Sequence, residues 1–120
     1  MYEYYFERMN VWKNSRDLVN DIYTITRKFP QDEDYHLKSQ MRRAAGSVKS
    51  NIAEGQGRIT KVDQARFTTI AYSSLIELLN HLITALDQCY ILENQYLVLR
   101  EKINLIANQL NSLKKVQLSK

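Results

Sequence analysis

One proline and three glycines in 120 residues leave this chain few places to turn. Average usage is about 5% proline and about 7% glycine, so the scarcity of both excludes strand-and-turn architectures and long flexible linkers. The single cysteine, Cys89, excludes an internal disulfide, and no cysteine pair has metal-ligand spacing, which fits a reducing compartment. Two histidines, His36 and His81, leave little material for acid–base, nucleophilic or metal chemistry. Uninterrupted apolar runs are missing too. The most apolar stretch, residues 67–86, is broken by Glu77, Asn80 and His81, so no membrane-spanning segment is expected. The opening residues Met-Tyr-Glu-Tyr-Tyr-Phe-Glu-Arg are acidic and aromatic, which reads as no signal peptide and makes the cytoplasm the expected location.

What remains is long helices. With 44% hydrophobic and 25% charged residues, residues 1–120 read as one domain with one core, large enough to fold without a disulfide or metal. Trp12, Ser15, Val19, Ile22, Thr26 and Phe29 recur at spacings of three and four, widened by Val11, Leu18 and Ile25, which predicts an amphipathic helix over residues 9–29. Pro30 stops it, because proline has no N–H to donate and disfavours helix in the residue before it. Asp32 or Asp34 is placed to cap a second helix over residues 34–55, whose apolar face carries Leu37, Met41, Ala44, Ala45, Val48 and Ile52. Gly55 and Gly57 offer left-handed residues to end that helix, a better account of Gly-Gln-Gly-Arg than a phosphate loop, since neither a preceding strand nor a Gly-Lys-Ser/Thr ending is present. Thr60-Lys61-Val62-Asp63 has capping-box form and opens a third helix over residues 61–90. Tyr96, Leu99, Ile103, Ile106, Leu110 and Leu113 mark a fourth over residues 94–116. Four amphipathic helices with short loops make an all-α, antiparallel up-down-up-down four-helix bundle the simplest topology.

The net charge of +4 is unevenly spread. Residues 1–35 hold 5 basic and 7 acidic side chains, residues 36–66 hold 7 and 2, and residues 67–120 hold 5 and 4. The middle segment therefore carries the excess through Lys38, Arg42, Arg43, Lys49, Arg58, Lys61 and Arg66. At about 100° per residue, Lys38, Arg42 and Lys49 fall within about 40° of one another and form a ridge beside the apolar face. Such a ridge is either a solvated helix face or a surface for nucleic-acid phosphates.

Catalytic signals are weak. Glu77 and His81 are four apart, where bundle di-metal sites use a spacing of three and further inward carboxylates, so both read as structural or surface groups and no metal or cofactor is expected. His36 reads as exposed, and Cys89 reads as a small core hydrophobe rather than a reactive thiol. The expectation is a protein that is not an enzyme.

The run from Gln40 to Arg58, Gln-Met-Arg-Arg-Ala-Ala-Gly-Ser-Val-Lys-Ser-Asn-Ile-Ala-Glu-Gly-Gln-Gly-Arg, resembles the signature of the four helix bundle protein family, also called intervening-sequence proteins of large-subunit ribosomal RNA genes. Val11-Trp12-Lys13, Ser15-Arg16, Leu18-Val19, Phe29-Pro30 and Ala71-Tyr72-Ser73-Ser74-Leu75-Ile76-Glu77 extend the likeness over nearly the whole chain, with Ser73 where the family often has glycine. The resemblance implies a bacterial, cytoplasmic bundle that assembles as a homopentamer. It also implies a distant kinship with the accessory variability protein of diversity-generating retroelements, which binds nucleic acid and a reverse transcriptase through a basic surface. Carried onto this chain, the motif's basic residues are Arg42, Arg43 and Arg58, with Lys38, Lys49, Lys61 and Arg66 as local additions. The function expected is weak, sequence-tolerant binding of RNA or DNA through these residues. The alternative is a structural or adaptor homo-oligomer that binds another protein, with Arg43 and Glu54 meeting across a subunit interface and Gly46 permitting close approach.

Overall fold

The computed structural model describes residues 1–119, leaving Lys120 of the expected domain outside the described residues. Five α-helices follow one another: α1 (Tyr5–Arg8), α2 (Asn10–Thr26), α3 (Leu37–Gln56), α4 (Lys61–Asp87) and α5 (Glu93–Leu118), with a single 3-10 turn at Gln31–Glu33. Among the described residues there is no strand. The short α1 lies before the expected helices: Glu7 Oε2 accepts the Tyr4 backbone N–H at 2.8 Å and starts a turn before Met9 breaks it with an extended backbone.

Helix α2 packs on α3, α3 on α4, α4 on α5, and α5 back on α2, so the helices enclose one core. Its deepest side chains include Leu18, Ile22, Met41, Val48, Leu75, Leu78, Leu82, Ile103, Ile106 and Leu110. The buried line of α2 runs Val11, Ser15, Leu18, Ile22 and Thr26, slightly rotated from the expected stripe, so Trp12 and Val19 stand at its border instead of its centre. The buried hydroxyls on this line stay paired: Ser15 Oγ donates to the Val11 carbonyl at 2.7 Å and Thr26 Oγ1 to that of Ile22 at 2.6 Å.

The helix ends correct three expectations. His36, exposed, caps α3 without a side-chain bond, while Asp34 is taken by Lys38 at 2.8 Å and Glu33 Oε1 reaches the Leu37 N–H at 3.4 Å. Neither Gly55 nor Gly57 is left-handed; α3 continues through Gly55, and Gly57 has φ −84°. The need at Gly55 is space, because a Cβ there would lie 3.0 Å from the Phe67 Cβ on α4. Left-handed backbone occurs instead at Cys89, with φ 62°. The Cys89 N–H bonds to the Leu86 carbonyl and the Tyr90 N–H to that of Ala85, which closes α4 in a Schellman motif. Cys89 is consequently exposed and not a core hydrophobe, since a left-handed terminal residue turns out of the helix's buried face.

The Thr60 cap forms as expected, with Thr60 Oγ1 accepting the Asp63 N–H at 3.1 Å. Helix α4 also departs from the membrane expectation: its most apolar 18-residue window has mean hydropathy 1.2, long and apolar enough to cross a membrane by length and composition. Its Ala71, Leu75, Leu78, Leu82 and Ala85 are nonetheless buried in the bundle core, where a central helix needs the same composition.

Candidate nucleic-acid interface

The seven cations expected to form a binding face divide by what already holds them. Lys38 pairs with Asp34 one turn back. Arg43 reaches across to α4, pairing with Glu77 and also donating to Gln40 Oε1 at 2.8 Å. Glu77 in turn lies 3.2 Å from His81 Nε2, so the pair noted in the sequence belongs to an Arg43–Glu77–His81 cluster on the α3–α4 surface.

Arg58 and Arg66 share Asp63, at 2.5 Å and 2.9 Å, and both stand over the Phe67 ring. The hydrogen bond from Arg58 holds the Asp63 carboxyl below its ordinary pKa, assisted by Arg66. That acidic group, the N3 residue of α4, also faces the positive end of the helix, so it stays charged and keeps both arginines engaged.

Among the described residues, Arg42, Lys49 and Lys61 have no carboxylate partner. Arg42 is instead oriented by α2: its Nε donates to Thr26 Oγ1 at 2.9 Å, and its guanidinium lies 4.4 Å from the Tyr23 ring centroid. Thr26 thus pairs its hydroxyl twice, and Arg42 is held a third time through Nη2, which donates to the Tyr23 carbonyl at 3.3 Å. Lys49 lies two turns further along the same side of α3 as Arg42, and Lys61 stands exposed in the first turn of α4. Two further cations without carboxylates, Arg16 and Arg27, lie on the Tyr23 side of α2; segment counting passed them over because acids elsewhere in residues 1–35 masked them. A helical-wheel reading of α2 for cations alone would have found them.

Of the residues expected at a subunit contact, Arg43 is engaged by Glu77 within the chain, and Glu54 is exposed without an ion-pair partner among the described residues. Around Gly46 nothing within the chain comes within 4 Å of a built Cβ, so no intrachain packing explains the glycine. Away from the basic residues, a cleft of about 370 Å³ opens along the α2–α5 seam, with Ile25, Val98 and Tyr90 in its wall and the Asp21–Lys102 ion pair at its rim.

An all-helical protein with one enclosed core and unpaired cations beside an aromatic-bearing helix is the class these features define. The chain belongs to the 23S rRNA-intervening sequence protein family, whose model matches residues 7–112. Its fold is similar to that of a crystal structure of a protein with unknown function from the S23 ribosomal protein family of Bacteroides thetaiotaomicron. The two share 21% sequence identity, with a TM-score of 0.81 over 88% of this chain and 98% of that one. No curated protein matches the chain.

Proposed function

We infer that the protein is a non-enzymatic, oligomeric helical module of the bacterial cytoplasm that binds RNA or DNA through phosphate contacts. The observation that carries this reading is that Arg42, Lys49 and Lys61, with Arg16 and Arg27 on the adjoining helix, are among the cations left without carboxylates among the described residues. A cation already bound to a carboxylate must surrender that partner before it takes a phosphate, whereas these five need not. Among the described residues there is no strand to enter a groove, and the expected base preference is small. The family's description, tied to the intervening sequence of 23S rRNA, agrees with an RNA-side role.

The scaffold in this reading is an antiparallel up-down four-helix bundle. Cross-helix pairs support it: Asn14 with Gln109 and Asp21 with Lys102 run in opposite order along α2 and α5, as do Ser47 with Ser74 and Arg43 with Glu77 along α3 and α4. Five copies around an axis would repeat the unpaired cations and concentrate their field. A nucleic-acid enzyme such as a reverse transcriptase is a further partner consistent with that surface.

A second reading is favoured by Gly46, open to the exterior, and by the exposed Ile70, Ile76 and Ile83 of α4. Here the module is a structural or adaptor homo-oligomer, and Arg43, Gly46 and Glu54 serve subunit contacts.

Size-exclusion chromatography with multi-angle light scattering, with and without a short unstructured RNA at low and high salt, separates the two. A pentamer that takes up RNA at low salt and sheds it at high salt supports the first. An oligomer indifferent to RNA, reduced to monomer by Arg43→Ala or Glu54→Ala, supports the second.

A further inference from the structure

Exposed aromatic rings lie beside the unpaired cations. Tyr2, Tyr4 and Tyr5 are 76%, 61% and 61% exposed, and Tyr23 is 41% exposed. Buried or interface-bound rings are the norm for such large apolar groups, so a run of uncovered ones requires an explanation.

The rings form a line. Tyr2 meets Tyr4 edge-on at 4.8 Å between centroids, Tyr4 lies parallel to Phe6 at 6.4 Å, and Phe6 meets Trp12 edge-on at 5.1 Å. Arg16 then stands over the Trp12 ring at 5.8 Å. On α2, at about 100° per residue, Trp12, Arg16, Tyr23 and Arg27 fall within about 60° of one another. The Arg42 guanidinium over Tyr23 shows that this side adjoins α3. Lys49 follows Arg42 by two turns, about 10 Å. Helix α1 also packs on α3, which brings the tyrosines of the chain's first turn to the same seam.

Ring and cation therefore alternate along one edge of the molecule from Trp12 with Arg16 to Tyr23 with Arg42, with Arg27 at the far end, while the line of rings from Tyr2 to Phe6 leads into it past Glu3 and Glu7. The α2 portion alone, Trp12 to Arg27, is about 22 Å long.

We propose that this α2–α3 edge is a single-strand track, on which unpaired bases stack against the exposed rings while Arg16, Arg27, Arg42 and Lys49 hold the phosphates. The assignment rests on the phosphate-binding reading above and names its substrate class. Phosphate contacts alone do not distinguish single strands from duplexes, but rings do: a duplex keeps its bases stacked on each other, whereas an unpaired base offers a free π-face to an aromatic side chain. Charge complementarity selects nucleic acid over an apolar protein surface, because desolvated arginines with no carboxylate would oppose burial against the latter.

The test uses the full chain and its Tyr2→Ala/Tyr4→Ala variant, both rings being exposed and neither lying under a phosphate-binding arginine, with Tyr2→Phe/Tyr4→Phe as the conservative control. Fluorescence anisotropy at low salt measures binding of labelled oligouridine, of a blunt RNA duplex, and of heparin as a polyanion without bases. The alanine variant is expected to bind oligouridine about tenfold more weakly or worse, with duplex and heparin affinity unchanged and the phenylalanine variant close to wild type. Oligouridine, and not heparin, is expected to quench the single Trp12 of the wild-type chain.

If the alanine variant binds all three probes as the wild type does, the single-strand track is overturned and phosphate binding stands. If the wild type binds none of them, the phosphate-binding reading itself fails and the track fails with it. If the alanine variant changes the oligomer's mass in light scattering, the rings are a contact between copies and the track is overturned.

Discussion

Replacing cations according to their partners tests the physical basis of the functional reading. In one variant, Arg42, Lys49 and Lys61, which have no carboxylate, become Gln; in a second, Lys38, Arg43, Arg58 and Arg66, which are paired, become Gln. Each phosphate neutralised on a single strand contributes about −0.7 to the slope of log Kobs against log salt, so removing three working contacts should flatten the slope by about 2. Between 50 and 200 mM salt, three contacts amount to about a twentyfold fall in affinity that the first variant no longer shows. The second variant loses more formal charge, four against three, yet is expected to flatten the slope by less than about 1, because its cations begin bound to Asp34, Glu77 and Asp63. Salt-dependent anisotropy titration with a labelled RNA gives both slopes. Circular dichroism checks folding, which matters most for Arg42, since its Tyr23 and Thr26 contacts also join α2 to α3. A second variant that flattens the slope as much as the first would refute the argument that pairing decides which cations are available.

Cys89→Gly should raise stability by about 0.5–1 kcal/mol, since an L-residue in left-handed backbone costs about 1–2 kcal/mol and the added flexibility of glycine offsets part of that relief; thermal denaturation reads this as about 2–4 °C. Gly46→Ala and Gly55→Ala gain the same helix propensity, about 1 kcal/mol, but only at Gly55 does the new Cβ meet Phe67. Urea denaturation should therefore find Gly46→Ala stabilised and Gly55→Ala lower by about 1–3 kcal/mol. Asp63 has a folded-state pKa below its ordinary 3.8, chiefly through Arg58, so its contribution is present above that value and is lost as pH falls through the lowered one. Arg58→Gln should move the Asp63 carboxyl resonance upward in an NMR titration and leave less stability to lose in acid; an unmoved resonance contradicts the assigned cause.

Helix positions were legible because period and punctuation are local properties. Thr60 caps α4, and the heptad-like lines of α3 and α5 are the ones buried, whereas α2 ends at Thr26, short of residue 29 where Pro30 is expected to stop it. The misreadings share a cause, which is that spacing reports an angle around a helix and not what stands opposite. Arg43 looked free because its partner, Glu77, lies 34 residues away on another helix. Gly55 looked like a terminator because a close approach by Phe67 leaves no mark in the local pattern. Cys89 looked buried by continuing the α4 period two residues too far, past the point where Asp87 ends the helix. Trp12 is central by its spacing to Ser15 and Val19, whereas α2 turns Val11 inward and leaves the indole at the border of the buried face. The candidate interface was thus half legible: its segment was found by charge, and its membership was decided by contacts between helices.

The pairing of helices also orders the assembly of the chain in time. Helices α3 and α4 are joined by only four residues, and their contacts, from Gly55 against Phe67 to Arg43 against Glu77, span 12 to 34 residues, against 81 to 95 for the pairs between α2 and α5. Closing such a loop is fast and loses little chain entropy. The seam between α2 and α5 is the opposite case, since Asn14 must find Gln109 and Asp21 must find Lys102 across most of the chain. The hairpin of α3 and α4 is accordingly the expected early kernel, and the α2–α5 seam, with its cleft beside Lys102, the expected last joint to shut, an order that folding rates of Leu78→Ala and Ile106→Ala variants would test. A molecule built this way is expected to loosen along α2 while the α3–α4 pair, which carries Arg42, Lys49 and Lys61, remains folded.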